Sequence, residues 1–240
     1  MRADRSACAA SATLASARGI GHGRAMRRYQ RSTLLFAACL TGLAGFVDAL
    51  AYSSMGGFFA SFMSGNTTRL GVSLATGASN DARIGAGLIL SFVSGVVAAA
   101  IIGRSRPHHQ RVAVMALVTL LLGGAALFAP YHPVIVPLLL LATAMGAENG
   151  VFTRDGEVSI GLTYMTGALV RIGQGLAAAL MGEGPRWDWA RYLGLWLGFG
   201  AGVITGARCY AAYGTGALWI AAGAAAVLTV GARATQRDTA

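Results

Sequence analysis

Two arginines sit inside apolar stretches of this chain, each at the same place in a repeated phrase. Arg69 lies in SFMSGNTTRLG, residues 61–71, and Arg171 lies in TYMTGALVRIG, residues 163–173. Both stretches read [Ser/Thr]-[Phe/Tyr]-Met-[Ser/Thr]-Gly-x-x-x-Arg-[Leu/Ile]-Gly. A guanidinium is a planar fork suited to carboxylates and phosphates, so two of them about one axis could clamp a single anion. The competing reading is structural: each arginine reaches an interface, or neutralises Asp48 or Glu148 within its own half. Asp48 falls well inside the first apolar segment. A carboxylate there either accepts hydrogen bonds from a broken helix end or serves a substrate, ion or proton.

Ser64-Gly65-Asn66-Thr67 reads as a helix interruption. Gly65 permits backbone that a helix interior penalises, and Asn66 or Thr67 could cap a new half-helix. Thr166-Gly167 is the counterpart in the second phrase. There Ala168 and Leu169 replace the polar pair, so a site built from both would be asymmetric. The bland alternative is close helix packing through small residues. The candidate substrate-binding set is therefore Asp48, Ser64, Gly65, Asn66, Thr67, Arg69, Glu148, Asn149, Thr166, Gly167 and Arg171.

The elements that would hold these residues are membrane helices. Of 240 residues, 55% are hydrophobic and 12% charged, and the mean hydropathy is +0.58. A soluble domain carries about twice that charge. Eight segments are apolar enough to lie in a bilayer: 33–54, 58–77, 84–103, 112–129, 134–153, 160–181, 190–208 and 215–231. The short loops leave no room for a soluble domain. Residues 1–32 read as a disordered basic tail, with Met26 as a candidate initiator, and 232–240 as a C-terminal tail. The net charge of +10 is concentrated in that N-terminal tail. It marks a cytoplasmic flank and not a nucleic-acid surface. Cys8, Cys39 and Cys209 fit neither a disulfide framework nor a zinc site, and the histidines show no metal-ligand spacing. No metal or cofactor is expected.

The repetition extends beyond the quoted phrases. Residues 45–49 (GFVDA) align with 146–150 (GAENG), and 87–100 (GLILSFVSGVVAAA) with 194–207 (GLWLGFGAGVITGA). Three blocks in the same order imply two homologous units, 33–129 and 134–231, within one membrane domain, 33–231. If all eight segments crossed, Arg104, Arg106 and Arg111 would fall outside, against the positive-inside bias. If the second and sixth segments are broken or re-entrant, six crossings remain. Both termini and 104–111 are then cytoplasmic, and only Arg208 violates the bias. The expected fold is an all-α integral membrane protein with an inverted repeat, six crossings and two broken or re-entrant segments.

The stretch GFVDALAYSSMGGFFASFMSGNTTRLG resembles the YoaK family of bacterial inner-membrane proteins, a domain of unknown function. MGAENGVF and LTYMTGALVRIGQGLA resemble its second signature. Asp48, Gly57, Met63, Ser64, Gly65, Asn66, Thr67, Gly71, Asn149, Thr166 and Gly167 carry the match, whereas Glu148 stands where a glutamine is more usual. The resemblance implies a polytopic inner-membrane protein and supplies no substrate.

The function expected from the residues is a small-solute transporter or channel, with an anion as one candidate cargo. The alternative is a non-transporting membrane partner, such as an assembly or sensor subunit. An enzyme is not expected, because no histidine lies in a span and no zinc-protease motif is present. Spacings such as Gly194/Gly198/Gly202 mark helix contacts and could also form a homodimer surface. Trp187, Trp189 and Tyr192 read as an interfacial anchor.

Overall fold

Helix after helix forms where the apolar runs predict it, and glycines and prolines end most of them. The computed structural model describes residues 31–154, 157–158, 163–183 and 185–237. The expectations for residues 1–30, including the start at Met26, fall outside that range. Eight α-helices are described: α1 (Arg31–Ser54), α2 (Met63–Thr76), α3 (Ser79–Ser105), α4 (Gln110–Phe128), α5 (Ile135–Glu148), α6 (Met165–Leu180), α7 (Ala190–Tyr213) and α8 (Ala217–Arg237). A 3-10 turn, Asn149–Phe152, extends α5, and Thr153–Arg154 (β1) pairs antiparallel with Glu157–Val158 (β2). The helix α8 runs on to Arg237, past the residue where a tail was expected.

Five apolar helical stretches are long enough to cross a membrane: Ser32–Ser54, Ser79–Ser105, Pro107–Phe128, Ile135–Phe152 and Ala190–Arg233. The last holds both α7 and α8, joined through the 3-10 turn Gly214–Gly216. By contrast, α2 has 14 residues and α6 has 16. At 1.5 Å per residue each reaches about 21–24 Å, short of a hydrocarbon core of about 30 Å. The chain is a multi-pass, all-α membrane protein.

The packing exchanges helices between the two halves. The main partner of α1 is α7, and that of α5 is α3; α4 lies against α8, α4 against α5, and α1 against α8. Glycines set the approach. A Cβ at Gly45 would collide with the Phe199 carbonyl, and one at Gly202 with the Gly42 carbonyl. In the other pair, a Cβ at Gly146 would collide with the Phe92 carbonyl and one at Gly95 with the Thr143 carbonyl. These are corresponding positions of the aligned blocks. Contacts advance together along both chains: Gly198 meets Ala38, Gly202 meets Gly42, and Gly206 meets Phe46, so α1 and α7 run parallel. The same holds for α3 and α5, where Gly95 meets Thr143 and Ala99 meets Gly150. Gly198 and Gly202 thus pack inside the protomer. Where α4 meets α8, the Thr119 and Thr229 hydroxyls lie 2.9 Å apart.

Candidate functional site

The first break follows α1. Gly56 and Gly57 have φ of 61° and 101°, a left-handed turn that glycine adopts without Cβ strain. The chain then doubles back to Ser61 beside Asp48. The Asp48 carboxylate accepts from the backbone N–H of Ala60 (2.8 Å) and Ser61 (2.6 Å), and from the Ser61 hydroxyl (2.7 Å). Asp48 is 3% exposed, so these bonds replace its hydration and satisfy a loop that has no ladder of its own. Asn66 closes the same loop from the other side. Its amide donates to the Phe59 carbonyl (2.7 Å), and its oxygen accepts from the Phe59 N–H (3.0 Å).

This relocates the interruption expected at Ser64–Thr67. The helix α2 begins at Met63 with Phe62 as its uncapped N-cap, and residues 64–67 form its first turn. The break is upstream because the left-handed glycines are upstream. Gly65 is there for space, since a Cβ would stand 2.5 Å from the Phe62 ring. Thr67 caps nothing; its hydroxyl donates to the Met63 carbonyl within the helix.

The second break repeats the plan with neutral groups. Asn149, at the end of α5, donates to the Met145 carbonyl (2.9 Å) and accepts from the Thr163 hydroxyl (3.2 Å). Asn149 aligns with Asp48, and Thr163 with Ser61. The helix α6 then starts at Met165, again with no side-chain cap.

The starts of α2 and α6 line one cavity of about 600 Å³, walled by Met63, Ser64, Met165, Thr166, Gly167 and the α3 ring of Phe92. Uncapped helix N-termini present free N–H groups and the positive ends of their dipoles. A second cavity, of about 470 Å³, adjoins it through Ser61, Phe62, Thr163 and Met165 and reaches Asp48 and the α7 side chains Phe199 and Val203. Ser61, Thr163 and these aromatic walls are absent from the sequence-derived site. Ser61 and Thr163 were legible, because each opens the repeated phrase; the α7 ring was not, because its place depends on the exchange of helices.

Neither arginine lines these cavities. Arg69 lies six residues beyond Met63, about 9 Å along the helix. Its guanidinium donates to the Gly56 carbonyl (3.0 Å), stacks over Phe58 (4.0 Å to the ring centre) and faces Asp81 at 3.7 Å. Arg171, six residues beyond Met165, is exposed. The two arginines thus have different surroundings. Glu148 is fully buried, and neither carboxyl oxygen has a hydrogen-bond partner among the described residues. Among the described residues no cluster of three or more His, Cys, Asp or Glu side chains could hold a metal. Cys39 is exposed on α1, facing outward and not packing inward.

Known proteins resemble this chain in sequence. The UPF0700 transmembrane protein RA0705 of Rhizobium meliloti (strain 1021) is 38% identical over 207 residues, covering 86% of this chain and 88% of the relative. The UPF0700 transmembrane protein YoaK of Bacillus subtilis (strain 168) is 28% identical over 159 residues, covering 62% of this chain and 69% of the relative. No solved structure gives a significant match. The profile of a protein family of unknown function, DUF1275, matches residues 36–231, and the chain belongs to that family.

Proposed function

We propose that the protein is a small-solute transporter or channel, built as an inverted repeat with its site where α2 and α6 begin. The observation that carries this reading is the cavity walled by matching residues of both halves, Met63-Ser64 and Met165-Thr166-Gly167. Discontinuous helices whose N-termini meet at mid-depth are a recurring way to bind solutes in secondary transporters. The parallel run of α1 with α7, and of α3 with α5, supports the topology. With α1 crossing outward, α7 crosses outward and both α3 and α5 cross inward. The first helices of the two units then run in opposite directions. The helices α2 and α6 enter and return, six crossings remain, and both termini are cytoplasmic. The same topology carries Arg69 and Arg171 toward opposite membrane faces. The solute is thus held by helix N-termini, hydroxyls and apolar walls, without an arginine clamp.

The reading is tested by water access and flux. Cysteines introduced at Ser64 and Thr166, after removal of Cys8, Cys39 and Cys209, are expected to react with a small water-soluble maleimide in intact membranes. Gly167→Trp, whose side chain would project into the cavity, is expected to abolish solute entry into proteoliposomes while preserving a folded protein. Unlabelled cysteines together with unchanged swelling rates across a solute panel would reject it. The second reading, a non-transporting membrane partner, draws on Asp48, whose bonds among the described residues are to its own loop. It predicts a specific co-purifying protein and no flux.

A further inference from the structure

Asp48 carries a charge where the aligned residue of the second break is neutral. At the second break the uncharged amide of Asn149 accepts from the Thr163 hydroxyl, as Asp48 accepts from the Ser61 hydroxyl. The donors around Asp48 are two backbone amides and a hydroxyl, all neutral. Among the described residues no arginine or histidine lines its cavity; the Arg69 guanidinium lies near Tyr52 at its edge.

The walls facing Asp48 are aromatic. Tyr52 and Phe59 stand 5.4 Å apart, Phe59 and Phe62 stand 5.2 Å apart in an edge-to-face pair, and Phe199 comes from α7. Aromatic faces are electron-rich and attract cations, and they do so more strongly where water is excluded. Tyr52 is 53% exposed and Phe62 41%, so the cavity of about 470 Å³ has an open mouth. Its size suits a small organic molecule with an apolar body.

We propose that this cavity binds an organic ammonium-type cation, with Asp48 as counter-ion and Tyr52, Phe59, Phe62 and Phe199 as the aromatic wall. The inference deepens the transporter reading and rests on it for the cargo's role, but not for binding. A carboxylate at the wall repels anions and needs no conformational change to attract a cation.

The test uses three probes of similar shape and different charge: benzyltrimethylammonium, benzenesulfonate and neopentylbenzene. Each is titrated into the full-length purified protein while the apparent Tm is followed, since a ligand that binds the folded state raises it. The expected result is stabilisation by the ammonium probe alone. Asp48→Asn is expected to fold, as Asn149 does at the matching position, and to weaken that probe about tenfold or more. Tyr52→Leu, at a half-exposed position, is expected to weaken it about threefold. Should Asp48→Asn not fold, charge selectivity in the wild type and the Tyr52→Leu series decide the matter. Equal stabilisation by the anionic or neutral probe, unchanged in Asp48→Asn, would overturn the cation site and leave the transporter reading standing. No stabilisation by any probe would also overturn it, while labelling and flux at Ser64 and Thr166 would judge the transporter reading separately.

Discussion

The two helix breaks use the same positions with different chemistry. At the first, a carboxylate on α1 holds the loop through three donors, and two left-handed glycines turn the chain. At the second, an asparagine on α5 holds a threonine through one neutral bond, and the chain leaves through a 3-10 turn. The helix contacts that frame both breaks are alike: glycine against carbonyl, α1 on α7 and α3 on α5. The difference shows that a neutral group serves at the aligned position of the second break. The polar character of the first break is then available for something besides folding.

The largest expected effect tests whether the two frames are equivalent. Gly202→Leu and Gly95→Leu each drive a side chain into a helix backbone, on a contact with no room even for a Cβ. Overpacking of this kind costs about 1–3 kcal/mol or more where backbone must move. Both variants should lose the monodisperse peak in detergent size-exclusion chromatography. Loss in only one would show that the frames are not energetically alike.

The next effect separates the breaks. Ser61→Val removes a charge-assisted hydrogen bond, worth about 1.5–3 kcal/mol, whereas Thr163→Val removes a neutral one, worth about 0.5–1.5 kcal/mol. The apparent Tm should fall further for Ser61→Val; equal shifts would erase the contrast. Glu148→Gln works in the opposite direction. It replaces a buried acid that lacks a partner with an uncharged group of the same shape, so the apparent Tm should rise. A lower Tm would show that the site holds the acid better than an amide with two N–H donors.

The smallest effects are at the arginines. Arg69→Gln loses an exposed ion pair of about 0–1 kcal/mol along with its bond to the Gly56 carbonyl. Arg171→Gln, at an exposed position, should change stability by less than about 0.5 kcal/mol. A large loss of binding in both variants would restore the shared clamp that the phrase itself suggests.

Much of the architecture was legible because membrane insertion is written in local composition. The apolar runs at 33–54 and 112–129 became α1 and α4 with shifts of a residue or two, since a helix is the cheapest way to bury backbone in hydrocarbon. Polar side chains at Ser64–Thr67 point to an interruption there, whereas the chain turns earlier, at the left-handed Gly56-Gly57. Asn66 was read as a cap, but it reaches back seven residues to Phe59, a loop closure that no helical spacing announces. The candidate set was partly assembled by the fold: Ser64, Thr166 and Gly167 share a cavity wall, Asp48 lines the adjoining cavity, and Arg69 and Arg171 stand apart.

The sequence by itself determined that this chain lives in a bilayer and which stretches are helices. It also held the matching phrases whose first residues, Ser61 and Thr163, tie the breaks. These properties depend on composition and on neighbours within a few residues. Tertiary structure alone decided that α1 packs on α7 and α5 on α3. It also decided that the starts of α2 and α6 face one cavity, and that Asp48 lines the adjoining one while Arg69 and Arg171 line neither. Those outcomes depend on backbone approach at glycines more than 150 residues apart in the chain for α1 and α7, as between Gly42 and Gly202. A spacing pattern along the chain carries no record of which carbonyl will fill the space a missing Cβ leaves.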